Sequence, residues 1–234
     1  NVTDENEVPV ITVTGTGAVD ENVSASTVIY TATATADAGE TIAWSLTGTD
    51  ADKLQIASNG EVTLQNPADY ENQASYSFNV VANDGTNAPV TAVTVSVNDV
   101  NEAPVITNTS VTGTVAENAD PTTTVIYTAT ATDVDAGDTI TWSLGGTDAA
   151  LLDISSTGEV TLKNSADYES AQTSYAFDVV ATDAANVAVS KSVTVNVTDE
   201  NEVPVITVTG TGAVDENVSA STVIYTATAT ADAG

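Results

Sequence analysis

The chain repeats its own beginning. Residues 1–39 recur letter for letter as residues 196–234, after an interval of 195 positions (196 − 1). A diverged copy starts in between, because the motif Val8-Pro9-Val10-Ile11-Thr12 returns as Ala103-Pro104-Val105-Ile106-Thr107 and as Val203-Pro204-Val205-Ile206-Thr207. The repeats are therefore 95 (103 − 8) and 100 (203 − 103) residues long, which suits successive small domains and exceeds the length of solenoid repeats.

We interpret the chain as a segment of a longer tandem array. Its expected parts are the end of a preceding repeat or linker (1–7), a first repeat (8–102), a second repeat (103–202) and the truncated start of a third (203–234). The last part holds only two strands of a repeat, so we expect it to be disordered on its own. Its apolar residues have no facing sheet in this chain: Val205, Ile206, Val223, Ile224 and Tyr225.

The charge of the chain limits its partners. Thirty-three Asp and Glu residues stand against 3 Lys and Arg residues, which gives a formal net charge of −30. This charge repels nucleic acid and gains nothing at an anionic membrane, so we expect cations as partners. The hydrophobic fraction of 41% separates the chain from disordered acidic segments, whose composition is poor in hydrophobic residues.

The missing residue types limit the chemistry further. The sequence contains no Cys, Met or His, so disulfides, thiolate or imidazole metal sites and the usual nucleophile and base pairs are excluded. Oxygen atoms are the remaining metal ligands. Because small secreted domains often rely on disulfides or metals, a carboxylate-rich domain without cysteine predicts Ca²⁺ and an extracellular or cell-surface location. The chain has no run of about 18 apolar residues, so we expect no membrane insertion of this segment.

Short alternating or β-branched runs separated by Gly, Asn and Asp predict an all-β protein. Each repeat should form a seven-stranded Greek-key sandwich of Ig-like type, and the repeats should follow one another as an extended rod. The strands expected in the first repeat are 9–13, 27–35, 41–46, 54–56, 61–65, 75–83 and 90–97. Those expected in the second, after its opening strand, are 123–132, 139–144, 152–154, 159–163, 174–182 and 190–197.

Two glycines and a set of aromatic residues predict how each sandwich is built. Gly60 and Gly158 close equivalent short turns, where a positive φ favours glycine, and predict tight hairpins between the fourth and fifth strands. Trp44 and Trp142 occupy equivalent places in the third strand, where a core role is far more common than ligand stacking. The other aromatic residues predicted to lie in the cores are Tyr30, Tyr76, Phe78, Tyr127, Tyr175 and Phe177.

Acidic residues gather in loops at recurring positions of the repeats. One cluster ends a repeat, one follows the first strand, two lie in later loops, and a single Asp closes the sixth strand. In that order, the clusters are Asp4-Glu5-Asn6-Glu7, Asp99-Val100-Asn101-Glu102 and Asp199-Glu200-Asn201-Glu202; Glu21, Glu117 and Glu216; Asp69-Tyr70-Glu71 and Asp167-Tyr168-Glu169; Asp133-Val134-Asp135; and Asp84 and Asp183.

This arrangement resembles cadherin repeats, in the form found in large repetitive bacterial surface proteins. Glu21 resembles the family's first-loop Glu, Asp69-Tyr70-Glu71 its Asp-Arg-Glu, and Asp133-Val134-Asp135 its Asp-X-Asp. The single Asp84 and Asp183 resemble its later Asp. The likeness covers both whole repeats and the partial third. It implies cadherin-like sandwiches with up to three Ca²⁺ between consecutive domains, where the ions stiffen the junction.

The resemblance implies one complete calcium site and two half-sites. The residues of the complete site, between the two repeats, are Glu21, Asp69, Glu71, Asp99, Asn101, Glu102, Asp133, Asp135 and Asp183. Those of the first half-site are Asp4, Asn6, Glu7, Asp37 and Asp84, and those of the second are Glu117, Asp167, Glu169, Asp199, Asn201, Glu202 and Asp232. The chemistry agrees, because Ca²⁺ takes 6–8 oxygen ligands and needs many carboxylates from separate loops.

Two departures from the family pattern predict weaker binding. The linker Asp99-Val100-Asn101-Glu102-Ala103-Pro104 is one residue shorter than the family's Asp-X-Asn-Asp-Asn-X-Pro and lacks its second Asn, which puts the third ion in doubt. The first repeat has Ala36-Asp37 where the second has Asp133-Val134-Asp135. One carboxylate is therefore missing at that end.

Other readings of the carboxylates fit less well. A glycosidase pair such as Asp69 and Glu71 would need a cleft, yet the pair recurs in each repeat without an insertion that forms one, so we expect no enzyme. An EF-hand loop starting at Asp133 would need Glu at its twelfth position, where Leu144 stands. Acidic residues that only confer solubility would not recur at the same loop positions in each repeat. Lys–Asn crosslinks would need a lysine that recurs between the repeats, and none does.

Two functions follow from the pattern, with a third at the truncated repeat. The first is a calcium-rigidified extender of a repetitive surface adhesin or matrix fibre, which near-identical repeats favour. The second is an adhesive module with calcium-dependent contacts to like chains or glycans. The third is a fibre subunit completed by strand exchange through the partial third repeat.

Overall fold

A computed structural model describes residues 5–14, 17–209 and 213–230. Asp4 and Asp232, which the sequence places in the half-sites, lie outside these residues. The chain divides into two compact units. The first extends to Glu102 and also takes in Val134–Ala136, and the second comprises the rest of the chain from Ala103.

The first unit is a sandwich of two four-stranded sheets. Its strands are β1 (Val10–Thr14), β2 (Ala18–Asp20), β3 (Val28–Thr35), β4 (Ala43–Thr47), β5 (Leu54–Ile56), β6 (Glu61–Leu64), β7 (Ser75–Asn83) and β8 (Val90–Asn98). One sheet has the order β1-β3-β6-β5 and the other the order β2-β8-β7-β4. Buried residues of both sheets form one core, in which Tyr30 and Phe78 meet edge to face at 5.9 Å between ring centroids.

The second unit repeats this plan with more interruptions. Its strands up to the end of the second repeat are β9 (Val105–Ile106), β10 (Thr112–Ala116), β11 (Val125–Thr128), β12 (Ala131–Thr132), β13 (Thr141–Gly145), β14 (Leu152–Ile154), β15 (Glu159–Leu162), β16 (Ser174–Thr182) and β17 (Ala188–Thr198). The sheets are β10-β17-β16-β13, β11-β15-β14 and the pair β12-β9. Tyr127 and Phe177 form the equivalent aromatic contact at 6.3 Å.

The all-β prediction is confirmed, but the strand count was wrong. The first unit has eight described strands because the opening segment changes sheets: β1 pairs with β3, whereas β2 pairs in parallel with β8. In the second unit, β10 pairs in parallel with β17 in the same way. The strand predicted over 123–132 divides into β11 and β12, which pair with β15 and β9. A short strand such as β2 forms because the neighbouring strand β8 offers backbone N–H and C=O groups for pairing. No local sequence pattern indicates such a strand.

The predicted hairpin glycines and core aromatics are confirmed. Gly60 and Gly158 both have φ of +84° in the turns that join β5 to β6 and β14 to β15. The six predicted Tyr and Phe residues are buried. Trp44 and Trp142 are half-buried and pack against the two cores. Within the described residues, no helix is long and apolar enough to cross a membrane.

The start of the third repeat forms a hairpin, so the prediction of disorder was wrong. Strands β18 (Val205–Thr209) and β19 (Thr226–Thr230) pair in antiparallel fashion. Cross-strand hydrogen bonds satisfy their facing backbone groups without a core. The expected lack of a facing sheet is confirmed, because Val205, Ile206, Val223, Ile224 and Tyr225 are all exposed.

Asp50 joins a 3-10 helix (Ala51–Lys53) to strand β7 in the first unit. Its backbone N–H donates to the carbonyl of Ser77 over 3.1 Å, and its carboxylate accepts from the Ser77 N–H over 2.8 Å. Lys53 Nζ lies 3.1 Å from the other carboxylate oxygen. The Ser77 N–H, with further help from Lys53, holds the pKa of Asp50 below its ordinary value.

We expect Asp50→Asn to lower the free energy of unfolding by about 1–3 kcal/mol at pH 7, because a charge-assisted hydrogen bond is lost. A depressed carboxyl pKa stabilises the fold above the unfolded pKa of about 3.9, and this stability is lost as pH falls through the lower folded value. The difference between variant and wild type should therefore vanish in strong acid. Urea unfolding across pH measures it, with the exposed Asp52→Asn as the charge-matched control.

Candidate metal centre

Glu21 is the buried carboxylate that organises one end of the first unit. It follows β2 directly, and its backbone N–H donates to the carbonyl of Asn98 over 3.1 Å, which continues the pairing with β8. Its two carboxylate oxygens accept hydrogen bonds of 2.8 Å from the N–H groups of Tyr70 and Val100. Glu21 thus connects the loop at Tyr70 and the end of the repeat at Val100 through one side chain.

Other carboxylates converge beside Glu21. One carboxylate oxygen from each of Glu21, Asp69 and Glu71 lies within 4.8 Å of the others. A second group within the same distance consists of Glu71, Glu102 and Asp135. Glu71 belongs to both groups, so they form one continuous cluster in the first unit. A cavity of about 210 Å³ opens here, lined by Glu21, Asn22, Asp69, Glu71, Glu102 and Val134.

The electrostatics of this cluster favour a bound cation. Partial desolvation raises the pKa of Glu71, and the charges of Glu21 and Asp99 raise it further. Desolvation also raises the pKa of Glu102, followed by the charges of Glu21 and Asp135. Desolvation first, and then repulsion between the negative charges, therefore disfavours the ionised carboxylates in the absence of a cation. The Oε2 atom of Glu102 is buried without a hydrogen-bond partner among the described residues.

The second unit builds the same arrangement around Glu117. Its carboxylate accepts hydrogen bonds of 2.7 Å from the N–H groups of Tyr168 and Glu200, and its own N–H donates to a carbonyl of the final residue of β17. Carboxylate oxygens of Glu117, Glu169 and Asp199 lie within 4.8 Å of one another. The two units therefore present matched carboxylate clusters.

Residues before the prolines at the start of each repeat make a second recurring contact. The N–H of Glu7 donates to Asp37 Oδ2 over 2.9 Å. The N–H of Glu102 donates to Asp135 Oδ2 over the same distance. A side-chain hydrogen bond with Glu7, and then the Glu7 N–H, lower the pKa of Asp37. Both contacts orient an Asp toward the linker that precedes its repeat.

Hydrogen bonds through Asn87 link Asn6 and Asp84, two of the predicted residues of the first half-site. Asn87 Nδ2 donates to Asn6 Oδ1 over 2.5 Å, and Asn6 Nδ2 donates to Glu40. Asp84 accepts from the N–H groups of Asn87 at 2.6 Å and Thr86 at 2.8 Å. The Asn87 N–H is the main cause that lowers the pKa of Asp84.

The remaining predicted residues fall in both units. Asp133 and Asp183 belong to the second unit, and the buried Asp183 accepts from the N–H of Val187 over 2.7 Å. Asn101 Nδ2 donates to the carbonyl of Glu102 over 2.7 Å, and Asn201 repeats this bond to Glu202 over 2.9 Å. Asp167 Oδ1 accepts from the N–H of Ser170 over 3.1 Å, and Asp69 does the same from Asn72.

The sequence reasoning missed two pairs of residues. Asn22 and Asn118 each donate a side-chain hydrogen bond to the linker residues Glu102 and Glu202. They have positive φ values of 59° and 56°, which Asn tolerates better than most residues. Their signal was present, because an Asn follows the first-loop Glu in every copy.

The second missed pair is Glu40 and Asp138. Both directly precede the Thr-Ile that opens the third predicted strand of a repeat. Glu40 Oε2 and Asp138 Oδ2 are buried without a hydrogen-bond partner among the residues that the structure describes. Their recurrence at equivalent positions was the available signal.

No family model and no curated protein matches the sequence. Solved structures do match. Human protocadherin-24 EC1-2 shares 20% identity at a TM-score of 0.62, over 78% of this chain and 93% of that one. Mouse cadherin-23 EC22-24 shares 24% identity at a TM-score of 0.62, over 97% and 79%. Drosophila N-cadherin EC1-4 shares 22% identity at 0.61, over 82% and 50%.

The two units have the fold of cadherin repeats. The similarity is one of fold, because the sequence identities are below 25% although the matches cover most of this chain. The resemblance inferred from the acidic motifs is thereby confirmed at the level of architecture. In each cadherin-like repeat, the carboxylate cluster stands where the first-loop Glu meets the end of the repeat.

Proposed function

We propose that the chain is a calcium-rigidified extender segment of a secreted or cell-surface repetitive protein. The observation that carries this proposal is the cluster around Glu21, because it combines carboxylates from the first loop, the Asp69-Tyr70-Glu71 loop and the linker. The cluster around Glu117 repeats it. A site that recurs in every repeat serves length and stiffness better than recognition of one partner. Matching structures of protocadherin gamma B2 and protocadherin gamma B4 are of extracellular domains, which supports the proposed location.

The donor set fits Ca²⁺. Ca²⁺ accepts 6–8 oxygen ligands in flexible geometry, whereas Mg²⁺ demands an octahedral site and keeps several waters. Glu21, Asp69, Glu71, Glu102 and Asp135 supply carboxylates in one cluster. Bound Ca²⁺ would neutralise the charges that raise the pKa values of Glu71 and Glu102.

Stiffening would follow from the position of Glu102. This residue lies in the linker, accepts from Asn22 of the first loop and donates through its backbone to Asp135. An ion held by Glu102 would therefore restrict the backbone rotations of the linker. We propose that Asp99 and Asn101 complete the ligand set, with Asp133 and Asp183 contributed by the second repeat. The proposal assigns no catalysis to the chain.

Calcium titration tests the proposal. Extracellular modules bind Ca²⁺ with Kd of about 10⁻⁴ to 10⁻³ M, and at tenfold the Kd one site adds about 1.4 kcal/mol to the free energy of unfolding. We expect the Tm to rise with Ca²⁺, and small-angle scattering to show a larger maximum dimension in Ca²⁺ than in EDTA. Equimolar Mg²⁺ is the control. A Tm and a scattering profile that are the same in Ca²⁺ and EDTA would refute the proposal.

A further inference from the structure

The asparagine that follows the first-loop glutamate lies at the same cluster as the glutamate itself. Asn22 and Glu21 both line the cavity of about 210 Å³, together with the linker residue Glu102. In an extended strand, consecutive side chains point to opposite faces. Two neighbouring residues can therefore serve one site only where the backbone turns between them.

The backbone makes this turn at Asn22. Its φ is +59°, in the left-handed region, and its N–H donates to the carbonyl of Ala68 over 3.0 Å. The N–H of Glu21 donates to a different segment, at the carbonyl of Asn98, over 3.1 Å. Asparagine adopts the left-handed conformation more readily than most residues with a side chain. Two separate segments thus hold the turn, which places the side-chain amide of Asn22 against Glu102.

Asn118 repeats this geometry in the second unit. Its φ is +56°, and its N–H donates to the carbonyl of Ala166 over 2.9 Å. Its side-chain amide donates to Glu202, as that of Asn22 donates to Glu102. The contact therefore belongs to the plan of the repeat and does not depend on one loop alone.

The hydrogen bond to Glu102 fixes which way the amide of Asn22 points. An ionised carboxylate only accepts hydrogen bonds, so the Nδ2 atom of Asn22 must face Glu102 Oε1. The amide oxygen, Oδ1, accepts no hydrogen bond from the residues that the structure describes. Glu102 Oε2 is buried and also has no hydrogen-bond partner among them. Asn22 Oδ1 and Glu102 Oε2 are therefore both available to a cation.

We propose that Asn22 binds calcium through Oδ1 and holds Glu102 by its other oxygen, so that Glu102 Oε2 serves the same ion. This inference rests on the proposed function and adds a ligand to the set given there. Ca²⁺ accepts amide oxygens beside carboxylates. An amide adds a ligand without adding negative charge to the five carboxylates that the cluster already contains. Asn118 has the same role in the second unit.

Carbon NMR of the full chain tests the ligand without any substitution. A metal ion polarises a carbonyl group that it binds. The ¹³Cγ resonance of Asn22 should therefore move downfield during a Ca²⁺ titration, with the same midpoint as the side-chain carboxyl carbon of Glu21. Asn79 is the internal reference, because it lies in the middle of β7, and its ¹³Cγ resonance should stay in place.

Asn22→Gly separates a ligand from a residue that only forms the turn. Glycine adopts positive φ readily, so the turn is kept while the amide is lost. The calcium concentration at the midpoint for Glu21 should rise at least about tenfold, and the Tm in EDTA should stay within about 5 °C of wild type. Asn186→Gly makes the same replacement at a φ of +67° in the second unit. This control should leave the midpoint for Glu21 within about twofold of wild type.

The outcomes separate this inference from the proposed function. If Glu21 responds to Ca²⁺ while the ¹³Cγ resonance of Asn22 moves no further than that of Asn79, the calcium site stands and this inference is overturned. An unchanged midpoint for Glu21 in Asn22→Gly overturns it as well. If neither Glu21 nor Asn22 responds, the calcium site itself is refuted, and the role of Asn22 falls with it.

Discussion

Glu21→Gln is expected to raise the calcium concentration at half-saturation of the first unit by at least tenfold. The residue supplies a carboxylate to the cluster with Asp69 and Glu71, and it also orients that cluster through the N–H groups of Tyr70 and Val100. Losing a group that orients metal ligands typically costs about 10–100-fold in affinity. Glutamine keeps the shape of the side chain but removes its charge and one acceptor.

Isothermal titration calorimetry measures the effect, with two controls. Asp52→Asn removes one exposed negative charge outside the cluster and should leave calcium affinity within about twofold of wild type. Glu117→Gln makes the same change in the second repeat and should weaken the binding there. If Glu21→Gln and Asp52→Asn titrate alike, the cluster around Glu21 does not hold the ion.

Gly60→Ala is expected to destabilise the first repeat by about 2–5 kcal/mol. Gly60 has φ of +84°, and a Cβ there would lie 2.1 Å from the carbonyl oxygen of Ala32. The Ala32 N–H donates to the Gly60 carbonyl over 2.9 Å, so the two backbones cannot separate without losing that bond. Alanine therefore adds a steric clash to the cost of positive φ.

Gly39→Ala separates these two costs. Gly39 has φ of +99° but no atom within 4 Å of a built Cβ, so only the conformational cost of about 1–2 kcal/mol remains. Denaturant unfolding followed by Trp44 fluorescence, in a Trp142→Phe background, reports the first repeat alone. Similar losses for Gly39→Ala and Gly60→Ala would show that the approach to Ala32 does not constrain the turn.

Local patterns in the sequence determined much of the fold. The alternation along 75–83 predicts β7 with its ends correct, because one face of that strand meets the core and the other meets solvent. The glycine turns were predictable because positive φ is nearly reserved for Gly. The recurrence of carboxylates in loops was also enough to predict the clusters around Glu21 and Glu117 and the cadherin-like architecture.

Contacts between distant segments were decided by the tertiary structure. Strand β2 exists because β8 lies beside it, and the roles of Asn22 and Glu40 depend on which linker residues approach them. Tyr30 and Tyr225 show the limit most directly, since their surrounding sequences are identical and their burial is opposite. The two tyrosines also differ in local structure, because Tyr30 lies in β3 whereas Tyr225 directly precedes β19. Whether each tyrosine is buried depends on the sheet that covers it. The hydrophobic effect acts on apolar area removed from water, and only a covering sheet removes that area from water.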